Sequence, residues 1–534
     1  MTLQPPRSVR FACATDENDN LRGYLLAAAA TTPDAPALVE RAPDGGLRTW
    51  SYAALEDLVD GYVDTLDGLG LDVGERVVVQ SHHCSSALAV LLACATLGLP
   101  FIPVAPDMPD ERLALILDSA RPALFLQYGD GTRDHLPGTV GTGRFGDDGL
   151  RVERAPHTRP RVRAGVTPTD PVYIIFTSGT TGHPKGVVMT HRGVVSFLRS
   201  VRRLGFVAPG DRVATTSPLQ FDFSLVDTGM ALGCGATLVP VPRDELAWPR
   251  RFLEFLSEAE VSQVHGVPSI WRPVLRTAAD ELAAMDALRR VVYSGEDFPL
   301  PELRRLSELL PKAQIVNGYG ATESMAASLT ALPNPIPDTL QRPSIGWAHP
   351  GAEMTLIDEA GRPVTEPGVT GEIHLRSPAL FSGYWNDPEA TAAALVPDPF
   401  DPSSGQLVFR TGDLAYRGPE GELYFCGRAD SQVQVRGNRV ELGEIERRMQ
   451  QHEGIASAVL ALDRQAGPEP VLTAFLVRGD AAAGQSVTAA AVRAFCAETL
   501  PAYMLPHHIH FVDDIPLTSN GKADRRALLA RVGH

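Results

Sequence analysis

Cysteine is scarce and scattered in this chain. Cys13, Cys84, Cys94, Cys234, Cys426 and Cys496 form no C-x-x-C pair, which excludes a zinc ribbon and a disulfide framework and fits the reduced thiols of a cytoplasmic protein. An excess of basic charge is also missing: 48 Lys and Arg face 64 Asp and Glu, a formal net charge of −16. That balance argues against nucleic acid or an anionic membrane surface as partner. Nor is there a membrane span. The uncharged stretch from Ala87 to Val104 contains Gly98, Pro100 and Pro103, so it reads as a buried helix ending near Leu97, then a strand. The N-terminal residues have no signal-peptide core, because Arg7, Arg10 and several acidic residues interrupt them. No internal repeat is visible.

What is present describes a large globular protein. Hydrophobic residues make up 44% and charged residues 21%, and 534 residues are too many for one ordinary core, so two or more domains are expected. Helical and strand patterns alternate from residue 21 to about 340, which predicts α/β architecture with parallel sheet. Residues 128–170, rich in Gly, Asp, Arg and Pro, read as a surface hairpin and loop. After about 340 the texture turns to short strands and glycines, a β-rich subdomain. From about 430 a smaller α+β unit begins. The expected division is a large N-terminal domain, 1–429, and a small mobile C-terminal domain, 430–534.

The stretch Tyr173–His191, YIIFTSGTTGHPKGVVMTH, is the most informative. A β-branched and aromatic strand leads into Thr177, Ser178, Gly179, Thr180, Thr181 and Gly182, then Pro184, Lys185 and Gly186. Glycines let backbone N–H groups approach an anion, the hydroxyls add donors and Lys185 adds a point charge, so the loop suits a polyphosphate. It is not a Walker loop, because Lys185 is preceded by Pro184 and followed by Gly186. Three further stretches have chemical content. In NGYGATES (Asn317–Ser324), Tyr319 can stack on a purine, Thr322 can donate to a phosphate and Glu323 offers hard oxygen to Mg²⁺; a glycine-rich turn with a helix cap is the plainer reading. In FRTGDLAYR, Asp413 can accept from both ribose hydroxyls or be an exposed turn residue. GRADSQVQVRGNRVE carries Arg428, Asp430 and Arg436, and PLTSNGKADRRAL presents Lys522 after a turn.

Together, and in this order, these stretches resemble the signature motifs of the adenylate-forming superfamily, which includes acyl-CoA synthetases, luciferases and the adenylation domains of nonribosomal peptide synthetases. The resemblance spans residues 49–528 and is nearest to stand-alone amino-acid adenylation enzymes. It implies ATP and Mg²⁺ as requirements, with Glu323 as metal ligand. It also implies a nucleotide site of residues 177–182, Lys185, Gly318, Tyr319, Gly320, Thr322, Asp413 and Arg428. Lys522 would reach the α-phosphate and substrate carboxylate, making it catalytic beside Thr322, Glu323 and Lys185, and Asp430 would be the hinge between domains.

By the same resemblance Asp222, in QFDFS, would pair with a substrate ammonium, which favours an amino acid over a fatty or aryl acid. The pocket would be completed by Phe223, Val226, Gly266, Val292, Ser294, Gly318, Ala326, Ala327 and Lys522. Apart from Asp222 and Lys522 this wall is uncharged, which disfavours a charged side chain and leans toward a small or medium neutral one. The expected acceptor is a separate carrier protein, through its phosphopantetheine thiol or the amine of a carrier-bound aminoacyl group. An acyl-CoA synthetase using free CoA and a non-catalytic nucleotide-binding relative are the alternatives. One departure stands out: Gln434 occupies a position where relatives often have Lys.

Overall fold

The computed structural model describes residues 20–534 except 132, 134, 135, 159, 164, 180–183, 430, 431, 468, 480–486, 517–522, 533 and 534. Two eight-stranded sheets and one six-stranded sheet build the large part. The first runs in the order Ser328–Ala331, Gln314–Tyr319, Arg290–Ser294, Gln263–Gly266, Arg212–Thr215, Thr237–Pro240, Pro36–Arg41, Leu47–Ser51. The second runs Gly383–Tyr384, Lys185–Thr190, Pro171–Thr177, Phe101–Val104, Val77–Gln80, Leu124–Tyr128, Gly141–Gly146, Gly149–Arg154. The third, antiparallel and β-rich as expected, is centred on Thr370–Arg376 and Leu407–Arg417.

Alternation of helix and strand predicts parallel pairing, and the centres of both large sheets are parallel. Their edges are not. Strands Pro171–Thr177 and Lys185–Thr190 pair antiparallel across the phosphate-type loop, and Gln314–Tyr319 pairs antiparallel with Ser328–Ala331. A short connection can close only an antiparallel pair, whereas a parallel pair needs a crossover of a dozen or more residues. Mixed α/β sheet is therefore the fold class. The expected hairpin within 128–170 is present, with Gly146 opposite Gly149.

Local sequence explains the helices that carry these sheets. Ser85–Leu97 is apolar all round and wholly buried along most of its length, as such a helix must be. Gly98 ends it at φ 68°, a left-handed cap that glycine adopts without steric cost. His191–Arg202 is amphipathic: Val194, Val195, Phe197, Leu198 and Val201 face inward, and the Thr190 hydroxyl accepts from the Gly193 N–H at 3.1 Å.

The three sheets share one core, to which Leu38 and Val213, Val77 and Tyr173, and Leu356 and Ile373 belong. A second core of Phe252, Phe255, Trp271 and Val291 packs the first sheet against the Pro249–Glu258 and Trp271–Thr277 helices. A third is made only of residues between 433 and 511, among them Val440, Ile445, Leu460, Leu472 and Val492. The C-terminal part is thus a small domain with a core of its own, built on the hairpin Gln432–Val435 and Asn438–Glu441 and a three-stranded sheet. No helix among the described residues is long and apolar enough to cross a membrane.

Candidate active site

Four segments far apart in sequence converge where the large sheets meet the C-terminal domain. The turn after Gln314–Tyr319 supplies Thr322 and Glu323. Close approach dictates its composition: a Cβ on Gly320 would lie 2.4 Å from the Ala326 Cα. Met325 takes φ 62°, a conformation that costs an L residue energy and that surrounding structure must enforce. From this turn the Thr322 hydroxyl donates to an Asp222 carboxylate oxygen at 3.1 Å. Asp222 opens the Asp222–Leu232 helix, where the helix dipole favours a negative side chain. Burial nevertheless pushes its carboxyl up to about 7; the Thr322 hydrogen bond opposes the rise and the Glu323 charge adds to it.

Glu323 is buried, with 1% of its surface exposed. Burial is the largest single influence and raises the carboxyl, but the Arg439 guanidinium, the Tyr384 hydrogen bond and the Arg428 charge together outweigh it and the net shift is downward. Arg439 Nη1 donates to both carboxylate oxygens, at 3.0 and 2.9 Å, and the Tyr384 hydroxyl donates to one of them at 2.7 Å. The Lys185 ammonium stands 5.3 Å from the centre of the Tyr384 ring. Asp413 accepts from the Tyr319 hydroxyl at 2.6 Å and from Arg428, its partner across the antiparallel pair. Tyr319 leans on Phe425, ring centres 6.2 Å apart. The Asp222–Thr322 pair lies beside Glu323, and Arg428, which holds Asp413, also lowers the Glu323 carboxyl.

Ser178 and Gly179 are engaged by the C-terminal domain. The Ser178 hydroxyl donates to the Arg439 carbonyl at 2.9 Å and accepts from the Glu441 N–H at 3.2 Å. The Gly179 N–H donates to Glu444 at 3.1 Å. Thr180, Thr181, Gly182, Asp430 and Lys522 lie outside the described residues.

The expected pocket residues lie on the Asp222 helix, on three adjacent strands of the first sheet and on the turn after the last of them. Val226 is on the same helix. Val292 and Ser294 lie on one strand, with Ser294 opposite Gly318 on the next. Ala327 donates its N–H to the Tyr319 carbonyl at 2.7 Å. Gly266 leaves no room for a side chain, since a Cβ there would sit 2.2 Å from the Thr216 hydroxyl. Phe223 is half-buried and Ala326 buried.

Sequence reasoning missed several participants. Arg439 is the cation on Glu323, and it pairs across the hairpin with Gln434, the position where a lysine was lacking. The only signal for it was that departure. Glu444 pairs with Arg112 at 2.7 Å across 332 residues of chain, a partnership with no local signature. Beside the pocket strands lies a buried polar cluster that the uncharged-wall reading overlooked. The Asp227 carboxylate meets His265 Nδ1 at 2.8 Å and accepts from the Thr215 hydroxyl at 2.6 Å. Lysine scarcity is a further signal: Lys185, Lys312 and Lys522 are the chain's lysines, and two of them sit in the motifs.

A cradle of backbone N–H and hydroxyl groups, a buried carboxylate that takes a cation, a second carboxylate held by Tyr and Arg, and a helix-start Asp can bind a polyphosphate, a divalent cation, a diol and an ammonium. The chain matches the AMP-binding enzyme model over residues 25–385 and the AMP-binding enzyme C-terminal domain over residues 444–522. It is 34% identical over 508 residues to phosphinothricin tripeptide synthetase PhsC of Streptomyces viridochromogenes, covering 95% of this chain and 45% of that protein. It therefore spans less than half of that relative. Among solved structures it resembles IdnL1, with 53% identity, a TM-score of 0.87 and coverage of 94% of this chain and 100% of that one. It also resembles holo-PA1221, a nonribosomal peptide synthetase protein with adenylation and peptidyl carrier domains, at 27% identity and TM-score 0.77, covering 96% of this chain and 84% of that one.

Proposed function

The chain belongs to the AMP-binding enzyme family of the adenylate-forming superfamily, and from that premise we propose that it activates an amino acid with ATP and passes the aminoacyl group to a separate carrier protein. The carrying observation is the junction of Asp222 and Thr322 beside Glu323. An ammonium anchor and phosphate and metal ligands within one hydrogen-bonded cluster are what an amino acid needs to meet a nucleotide.

The chemistry is constrained by charge. A carboxylate oxygen attacks the α-phosphorus, the bond to the β-phosphate oxygen breaks, and pyrophosphate leaves. Both reactants are anions, so their approach needs cations in place beforehand. Lys185 and the Ser178–Gly179 loop serve the leaving phosphates, and Lys522 serves the transferring phosphoryl group and carboxylate. Asp413 and Arg428 hold the ribose end, with Tyr319 and Gly318 against the base. Glu323 fits Mg²⁺: it is a buried carboxylate already matched to a cation, Arg439, and the ion when bound would neutralise phosphate charge. The pocket of Asp222, Phe223, Val226, Gly266, Val292, Ser294, Gly318, Ala326 and Ala327 favours a neutral side chain.

The carrier reading draws support from the adenylation–carrier arrangement in PA1221. The C-terminal core, confined to residues 433–511, supports a division at 429/430 with Asp430 as hinge. An acyl-CoA synthetase is the second reading, and Asp222 speaks against it. The acceptor is tested by incubating enzyme, ATP and amino acid with either a phosphopantetheinylated carrier protein or free CoA, read by intact mass. Aminoacylated carrier with unmodified CoA is expected; aminoacyl-CoA with an unmodified carrier would replace this reading.

A further inference from the structure

The Asp227–His265 pair serves no step of the proposed reaction, and 0% of either side chain is exposed. Its hydrogen bonds are accounted for except at one atom. Asp227 Oδ2 accepts from the Thr215 hydroxyl at 2.6 Å, and Oδ1 meets His265 Nδ1 at 2.8 Å. The His265 carbonyl accepts from the Thr216 N–H at 3.2 Å and from its hydroxyl at 3.0 Å. His265 Nε2 is buried and has no partner among the described residues. A carboxylate only accepts, so Nδ1 carries the proton, and Nε2 of the neutral ring is left as a bare acceptor. A buried polar atom in that state costs stability unless something supplies its hydrogen bond.

Strand register fixes where this residue stands. His265 is paired with Thr215 on one side and Val292 on the other, and Val292 is paired with Val316. Residues paired across a sheet share a face, and successive residues alternate. Val292 and Val316 lie in the core that also contains Val226 of the Asp222–Leu232 helix, whereas Val264, Val291 and Ile315 lie in the other. His265 therefore stands on the face that this helix covers, level with Val292, and Ser294 follows two positions further along. Val226 and Val292 are the expected walls of the pocket. Asp227 is five residues beyond Asp222 on the helix, about 7.5 Å of axial rise. A substrate whose ammonium meets Asp222 would thus reach His265 with the far end of its side chain.

We propose that His265 is a specificity residue of the amino-acid pocket: its Nε2 accepts a hydrogen bond from a hydroxyl at the end of the substrate side chain, with Asp227 and Thr215 fixing the ring. The inference rests on the amino-acid reading of the site and narrows it from neutral side chains to hydroxyl-bearing ones. An alcohol or phenol is neutral, so it crosses the uncharged wall without stranding a charge. A carboxylate tip would bring a second anion toward Asp227, and an aliphatic tip would leave Nε2 unpaired. A cationic tip finds both Asp227 oxygens already engaged. A pocket built to hydrogen-bond a hydroxyl rejects the analogue lacking it far more strongly than an apolar pocket rejects a missing methylene. A pair that merely braced helix against sheet would be indifferent to the substrate's tip.

The test is ATP–pyrophosphate exchange on the full chain with matched acids. Tyrosine is set against phenylalanine, and hydroxynorvaline against norvaline and ornithine, as α- and β-amino acids, with hydroxyvalerate against valerate as the amine-free pair. In at least one pair kcat/KM is expected to favour the hydroxyl by about tenfold or more. His265→Asn keeps an amide N–H for Asp227 where Nδ1 stands and removes Nε2, so this preference should vanish. His265→Gln returns a polar atom near the Nε2 position and should restore part of it. No hydroxyl preference in any wild-type pair, a preference for ornithine, or a hydroxyl preference that His265→Asn leaves intact would overturn the assignment. Should His265→Asn fail to fold, the wild-type preferences decide alone. A chain that needs the amine but ignores the hydroxyl keeps the proposed function and loses this inference. One that answers to the hydroxyl but not to the amine keeps the inference and loses the amino acid, and exchange with none of these acids overturns both.

Discussion

Asp222 allows the sharpest perturbation. Its carboxyl, moved by burial from 3.8 to about 7, faces the Thr322 hydroxyl, the Glu323 charge and the Tyr173 phenol, whose own pKa the Asp222 charge helps to raise. Only the carboxylate form can pair with an ammonium. A pKa raised in the folded state means that this form is lost on acidification, so ionisation falls from about 91% at pH 8 to about 9% at pH 6. Apparent affinity scales with the competent fraction, which gives about a tenfold higher KM for the amino acid at pH 6 than at pH 8. Asp222→Asn should weaken amino-acid binding by about 2–5 kcal/mol and flatten this slope, leaving ATP affinity nearly unchanged. The same shift has a stability signature. Between pH 4 and 7 the unfolded chain ionises this group more readily, so wild type loses stability across that window as pH rises, and Asp222→Asn does not. Amino-acid KM from pH 6 to 8.5, with melting temperature beside it, is the assay. A variant with the wild-type KM and the wild-type slope would place the ammonium elsewhere.

Other perturbations reach other parts of the account. Lys522→Ala should bind nucleotide normally but form adenylate about 10²–10³-fold more slowly, the usual loss for one preorganised charge contact; a normal rate would remove Lys522 from the mechanism. Asp430→Pro fixes φ and removes an N–H, so it should trap one domain arrangement and uncouple the half-reactions. Single-turnover rates of adenylation and transfer that both match wild type would sink the hinge. Gly186→Ala should lower stability by about 1–3 kcal/mol, because its Cβ would meet Ile174 Cγ2 at 2.8 Å and the Trp385 Cβ at 3.0 Å; denaturant unfolding with an unchanged midpoint would contradict that packing.

Much of this site was legible in sequence because its parts are local. NGYGATES runs through a tight turn and the Asp413 strand carries Gly412 at φ 76°, so glycine and hydroxyl residues cluster in short readable strings. Asp222 carried its meaning through the family resemblance, and the structure adds the hydrogen bond to Thr322. Sheet direction was half legible: periodicity signals a strand but not its partner, and the antiparallel edges follow from turn length. What could not be read is pairing across distance. Arg112 and Glu444 are ordinary charges on amphipathic helices until folding buries them together. Arg439 appears only when the hairpin sets it opposite Gln434. Asp227 and His265 have no local signature, and only the packing of the Asp222–Leu232 helix against the Gln263–Gly266 strand brings them face to face.

The most direct measurement of the central claim is ATP–pyrophosphate exchange screened over α- and β-amino acids, aliphatic and aryl acids, in the presence of Mg²⁺. The account predicts exchange that depends on an acid bearing an ammonium and a neutral side chain, with no response to the same acid lacking its amine. Exchange driven equally well by amine-free carboxylic acids, or by none of the panel, would contradict it.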